Sequence, residues 1–306
     1  NFNISYNKAK IDKLAGGQTW QSSNWGGKPA GQNDFFIEEG GRLGEVYGYE
    51  LDGFYTTDDF SWDGSKWVLN ENLTDPTELI KYNNFGPGAL KLKADEDGKF
   101  TKKRLGNTVP TVTGGFGINM RYKNFDLSAF FNYSLGNKIV NATKLGSGYY
   151  NDTKKGWNLN DNFTLAKRYS WIDPTTGENM LKSSYIKSNG LDYTINRLNE
   201  VNAGASMYNP GSITEMPLLD WAVEDGSFLR VNNISIGYTL PKVFVNKMFM
   251  QNVRIYVTGY NLYCFTKYSG ADPEVDTRRS TPMTPGVDYS AYPKSRSFVG
   301  GINVTF

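Results

Sequence analysis

This 306-residue chain lacks much of the side-chain chemistry that catalysis uses. It contains no histidine, which removes Ser-His-Asp and Cys-His nucleophilic mechanisms and the commonest zinc ligand. Cys264 is the single cysteine, so no intrachain disulfide forms, and a lone thiol beside aromatic residues reads as packing. Neither a phosphate-cradling G-x-x-x-x-G-K-S/T loop nor a nucleophile elbow is present. Neighbouring carboxylates occur at Asp58-Asp59 and Glu224-Asp225. A glycosidase needs such a pair flanking a cleft, but in segments this acidic they read as solvated surface. The remaining candidates are aromatic. Trp157, Trp171, Tyr208 and Trp221 lie in one long stretch without periodicity, and their faces suit stacking on sugar rings or packing on a partner protein. The same rings would serve equally to pack that stretch upon itself. The expectation is a protein that is not an enzyme, with no cofactor and no metal site.

The elements that would position these residues are strands. In the final stretch, SFVGGINVTF, residues Phe298, Gly300, Ile302, Val304 and Phe306 share one face, and Val299, Gly301, Asn303 and Thr305 share the other. A mostly apolar row thus backs a small, polar one. A water-soluble sheet usually guards such an edge with charge, proline or a covering loop, whereas a closed barrel in lipid accommodates it directly. There the apolar row meets acyl chains, the polar row faces the lumen, and an aromatic residue sits at the interface. An ordinary sandwich strand is the alternative for this segment taken alone.

Composition agrees with a barrel. Mean hydropathy is -0.52, and no apolar run approaches the roughly 18 residues of a spanning helix. That excludes a helical membrane protein and leaves barrels open, since lumen residues and long loops dilute the mean. With 20 Tyr, 18 Phe, 7 Trp and 33 Gly, the chain is stocked for aromatic girdles and tight strand packing. Net charge is +2, from 33 basic and 31 acidic residues, which gives no reason to expect a nucleic-acid partner.

The alternation can be followed from the first residues. NFNISYNKAKI begins in strand pattern and suggests a chain read from within a longer polypeptide. Short strands are expected at Asp34 to Glu38 and, after a turn at Gly40-Gly41, at Leu43 to Tyr55. Thr56 to Thr111 reads as a long polar connection, with GALKLK at 88 to 93 as an extension outside any membrane. The clearest hairpin is Thr113 to Tyr133, turning at Lys123-Asn124. Gly136 to Asp225 has no sustained alternation and is too long for an idle loop. Ser227 to Leu240 is a strand stopped by Pro241, and Val253 to Phe265 is another whose phase changes midway, as a bulge would produce. Phe116, Ile118, Met120, Phe125, Leu127, Phe131, Ile234, Ile236, Ile302 and Val304 should face lipid. Asn119, Arg121, Asn132, Asn233 and Asn303 should face the lumen. The whole makes about eight strands, with short turns on the periplasmic side and long extracellular loops.

Several stretches carry a family resemblance: GGRLGEVYGYELDGFY (40 to 55), VPTVTGGFGINMRYKNFDLSAFFNYSLGNKI (109 to 139), EDGSFLRVNNISIGYTLP (224 to 241), VRIYVTGYNLYCFTKYSGADPEV (253 to 275) and YPKSRSFVGGINVTF (292 to 306). The chain resembles the SusC/RagA family of TonB-linked outer-membrane transporters of Bacteroidota. The resemblance implies that residues 1 to 306 are the C-terminal part of an all-β transmembrane antiparallel barrel of about 22 strands, without its plug. It implies uptake of an oligomeric nutrient, glycan or peptide, under a SusD-like surface lipoprotein lid and powered through TonB by the missing N-terminal part. It further implies a place in the cell outer membrane, contact with its lipid and with the barrel-assembly machinery, Phe306 as an assembly signal, and room for a dimer of transporter-lid pairs. One departure stands out: where relatives carry an Asp-x-Asn-x-Asp-Gly loop, this chain reads KADEDGK at 93 to 99. Lys93 replaces the first acid of a calcium cage, so Asp95, Asp97 and Gly98 are expected to form only a turn. A self-contained small barrel displaying adhesive loops and a secreted β-rich glycan hydrolase are the alternatives.

Overall fold

The computed structural model describes residues 1–17, 19–22, 33–150, 158–276, 283–289 and 291–306. Its largest element is a six-stranded antiparallel sheet: β1 (Phe2–Tyr6), β2 (Val112–Tyr122), β3 (Phe125–Leu135), β4 (Phe228–Thr239), β5 (Asn252–Thr266) and β6 (Ser297–Thr305). The strands lie in chain order, so each pairs with its sequence neighbour and no connection crosses another. From β2 to β6 they run 11, 11, 12, 15 and 9 residues, at or above the roughly 9–11 that a tilted strand needs to cross a bilayer.

Register converts alternation into two faces, because residues directly opposite one another share a side. One face carries the rows Ile118–Ala129–Ile234–Gly259–Phe298, Met120–Leu127–Ile236–Val257–Gly300 and Tyr122–Phe125–Tyr238–Ile255–Ile302. The other carries Asn119–Ser128–Ser235–Thr258–Val299 and Arg121–Asp126–Gly237–Tyr256–Gly301. The apolar row is bare to the surroundings: Met120, Phe125, Ile236, Val257 and Ile302 are each more than half exposed. The phase change in β5 is a bulge. Tyr263 faces Val231 and Tyr260 faces Asn233, which leaves Asn261 and Leu262 opposite Asn232, with Asn261 in the left-handed region at φ 51°. In β6, Gly301 lies under the ring of Tyr256, where a Cβ would come within 2.5 Å of ring atoms.

All three long connections (7–111, 136–227 and 267–296) leave from one end of this sheet, and the short turns at 123–124 and 240–251 close the other. The expected eight strands are therefore six within the sheet. Phe35–Ile37, Glu45–Gly48 and Leu51–Phe54 lie elsewhere: they alternate too, but pair with Lys103–Asn107 and Leu90–Leu92 in small sheets of their own. The first connection is consequently a single excursion of a hundred residues.

The excursions build a packed body beyond the sheet. Lys138–Asn141 pairs with Val223–Asp225 and, in parallel, with Val287–Asp288, so the second and third connections share a sheet. Tyr49 bridges to Leu219, tying the first to the second. One apolar cluster unites Phe35, Val46, Leu90, Val140, Tyr208 and Val287. A second holds Tyr55, Trp67, Tyr169, Trp171 and Leu198 and is closed by the helices Ser183–Asn189 and Leu191–Val201. The core of the described chain thus sits in this outer body. Among the described residues no apolar cluster is stacked on the apolar face of the sheet.

Candidate functional site

The charged side chains of strands β2 to β5, Arg121, Asp126, Arg230 and Arg254, all lie on the polar face of the sheet. Asp126 on β3 reaches across β4 to Arg254 on β5, with Oδ1 accepting from Nε at 2.9 Å and Oδ2 from Nη2 at 2.5 Å. The Arg254 guanidinium also lies 5.0 Å from the Tyr256 ring centre. Gly237 lies between them on β4, where a side chain would strike the guanidinium. Toward the long-loop end the same face is covered. Arg230 on β4, only 4% exposed, donates Nη2 to Asp272 at 2.5 Å and Nε to Glu274 at 2.7 Å. Glu274 also accepts from Asn132 on β3 and from Lys294. These acids come from the connection after β5, which therefore folds back over the polar face and is pinned there by a fully paired buried cation. A buried charge demands such pairing. Beside the pin lies a cavity of about 370 Å³ lined by Thr113, Asn132, Ser134, Glu274 and Asp276.

The five residues assigned to the polar side lie together on that face. Asn119 and Arg121 occupy β2, Asn132 β3, Asn233 β4 and Asn303 β6. The ten residues assigned to the apolar side, from Phe116 to Val304, share the opposite face. Phe306 follows β6 and is 78% exposed.

The aromatic candidates fare differently. Trp157 lies outside the described residues. Trp171 is 7% exposed and donates its indole N–H to the Pro87 carbonyl at 2.7 Å. Tyr208 is fully buried, its hydroxyl donating to Gly148 O at 2.9 Å. Rings with so little free face pack the body upon itself, the alternative that the sequence left open for them. Trp221 is half-buried against Phe163, with Lys144 Nζ 5.0 Å above its ring. A groove of about 690 Å³ does open in the body, between Trp67, Phe85, Leu181 and Lys182, and Trp171 is among the residues that line it.

Of the paired carboxylates, Asp58 is exposed and the other three hold local structure. Asp59 accepts from the Thr56 amide and pairs with Lys91, and Asp225 caps Ser227. Glu224 is pushed up by burial and pulled down further by the Ser269 amide and hydroxyl and by Lys144, so its carboxyl settles below the usual range. In KADEDGK, Asp95 accepts from the amides of Asp97 and Lys99, a closed turn with Gly98 at φ 75°. Among the described residues no three of His, Cys, Asp and Glu are grouped to hold a metal ion.

Sequence reading missed the buried centres. Besides Arg230, the body holds Asp173, whose carboxyl is kept well below the ordinary range by Arg197 first and then by the Tyr185 hydroxyl. An Arg placed on the polar row of a strand, as Arg230 is, was the available signal. Its partners lie 42 and 44 residues away, so only the fold reveals them.

No protein-family model matches the sequence. Curated relatives match it throughout. TonB-dependent receptor P3 of Formosa agariphila is 31% identical over 317 residues, which is all of this chain and 26% of that protein. TonB-dependent receptor SusC of Bacteroides thetaiotaomicron is 24% identical over 316 residues, again the whole chain and 24% of the relative. Among solved structures, the RagAB peptide transporter superposes on the whole chain and 26% of its own with a TM-score of 0.55 at 19% identity, which supports the fold. By name these are receptors and transporters and not enzymes, in agreement with the expectation from the missing catalytic side chains. Over its whole length, which spans about a quarter of theirs, the chain is similar to TonB-dependent receptors, SusC among them.

Proposed function

We propose that this chain is the C-terminal wall sector, with its outer loops, of an outer-membrane nutrient importer. The apolar face meets lipid, the polar face with Asn119, Arg121, Asn132, Asn233 and Asn303 lines the lumen, and the packed body stands on the extracellular side. The observation that carries this reading is the pairing of a two-faced sheet with long connections at one end only. A transmembrane barrel requires that arrangement, and a soluble sandwich has no use for a bare apolar face. The unpaired edges of β1 and β6 weigh against a self-contained small barrel.

Import is powered through TonB by the remainder of the protein, and a SusD-like surface lipoprotein closes the extracellular end over an oligomeric nutrient, glycan or peptide. Trp221 and Trp157 are left as the aromatic candidates for lid or substrate contact. The test uses the full-length protein in its own membrane: affinity purification followed by a mass spectrum of the intact complex, alongside growth of a gene deletion on defined oligosaccharides and oligopeptides. A co-purifying lipoprotein and loss of growth on one class of oligomer are expected. Absence from the outer-membrane fraction, or unimpaired growth on every oligomer, would overturn the proposal.

A further inference from the structure

The turn joining β4 to β5 is unusual for a short connection. LPKVFVNKMFMQ, residues 240 to 251, contains two lysines and no acid. It is tightly built: Lys242–Val245 forms a helical turn, Leu240 N donates to Val253 O at 2.8 Å, and Gln251 N donates to Thr305 O at 2.7 Å. It packs on β5 and has its own buried residue in Val245. Val253 is 6% exposed although it belongs to the same outward row as the bare Ile255 and Ile302. The turn therefore lies at the rim of the apolar face.

What this platform holds out is apolar. Val243 is 69%, Phe244 59% and Phe249 93% exposed, and Phe249 sits at φ 54°, a left-handed conformation that a bulky residue adopts only when its surroundings impose it. Around them stand exposed Lys242, Lys247 and, from the neighbouring turn, Lys123, whose Nζ lies 5.4 Å from the Tyr122 ring centre. The acid nearest to Lys123 in sequence, Asp126, is already held by Arg254. The outward row continues into this rim through the exposed Tyr122, Phe125, Ile302 and Phe306. A surface that is apolar, aromatic and basic without counter-charge, and continuous with a lipid-facing wall, complements one environment: the headgroup layer of a bilayer rich in anionic phospholipid.

We propose that residues 240 to 251 form an interfacial anchor in which Val243, Phe244 and Phe249 enter the boundary between headgroups and acyl chains, while Lys242, Lys247 and Lys123 bind the phosphates of anionic phospholipid. The inference rests on the reading of the sheet as a membrane wall. Full-length protein equilibrated with vesicles of phosphatidylcholine and phosphatidylglycerol should retain phosphatidylglycerol in excess after mild detergent extraction, as read by native mass spectrometry. Changing Lys123, Lys242 and Lys247 to Gln should reduce that excess by about fivefold for each lysine removed, and the Arg replacements should preserve it. Raised salt should weaken it. No excess in the unaltered protein, or an unchanged excess in the triple variant, would overturn the proposal. Spin labels at Phe249→Cys and Ile236→Cys, in a full-length protein otherwise free of cysteine, provide a second readout through collision with oxygen and with a water-soluble nickel chelate. Preference for oxygen at both sites supports the anchor. Oxygen at 236 with nickel at 249 rejects the anchor and leaves the wall, and nickel at both rejects the wall as well.

Discussion

The sheet and the outer body satisfy the same backbone in opposite ways. In the sheet, long strands pair with their sequence neighbours, the apolar side chains point away from the chain, and about all that holds one strand to the next is the ladder and its cross-strand pairs. In the body, strands of only two to five residues pair partly in local hairpins, as Phe60–Trp62 does with Trp67–Leu69, and partly with segments from other connections, as Lys138–Asn141 does with Val223–Asp225 and Val287–Asp288. The apolar side chains there converge on two enclosed clusters. In the proposed membrane setting the first arrangement takes lipid as an external apolar solvent; the second generates its own interior. A residue's hydrophobicity therefore has a different meaning in each region. Ile236 is exposed because lipid serves as its surroundings in the proposed membrane setting, and Leu198 is buried because no solvent outside the body would accept it.

Substitutions should separate the two regimes. The largest effect is expected at the junction between them: Arg230→Ala leaves Asp272 buried without its cation, a change of about 3–5 kcal/mol. It should release the connection after β5, measured as protease cleavage between residues 267 and 296 in the full-length protein. Wild-type resistance there would mean that the fold-back is held by something other than the pin. Next comes Ile234→Lys on the apolar face. At the centre of a wall strand it should cost about 2–4 kcal/mol and lower outer-membrane levels, while Asn119→Lys on the polar face should be tolerated. Equal effects at the two positions would dissolve the distinction between the faces.

The smallest effect is one of pH, confined to the body. The Asp173 carboxyl is depressed by Arg197 and Tyr185, so the stabilisation it brings is fully present above the ordinary carboxylate value of about 3.9 and drains away as pH falls through its own lower value. Amide exchange in the helices Ser183–Asn189 and Leu191–Val201 should therefore accelerate below about pH 4, ahead of exchange in β2 to β5. Asp173→Asn should be looser at neutral pH and lose that acid sensitivity. Exchange in the sheet that accelerates first would reverse the assignment.

What was legible in the sequence follows from the same contrast. The long strands of the sheet announce themselves because a two-residue period over nine or more positions is a local property. The turn at Lys123-Asn124, the stop at Pro241 and the phase change in Val253 to Phe265 could each be read within a dozen residues. Asp34 to Glu38 and Leu43 to Tyr55 were misplaced for the complementary reason: alternation over a few residues marks a strand but does not say which sheet it joins, and Phe35 and Val46 pair inside the body. The apparent emptiness of Gly136 to Asp225 had a similar cause, since its helices are short and its apolar residues meet partners from the first connection. Trp171 and Tyr208 looked like anchors because an aromatic residue in a long loop carries no local sign of whether its face is free.

By itself, then, the sequence determined the two faces of the sheet, the ends of its strands, the absence of histidine chemistry and the resemblance to TonB-dependent receptors. The tertiary structure decided the number of strands in the sheet, the fold-back pinned by Arg230, the enclosure of the aromatic rings and the basic, apolar rim at the short turns. The physical reason is range. Alternation and turn chemistry act between residues a few positions apart, whereas burial and ion pairing are settled by residues brought together from tens to more than a hundred positions away.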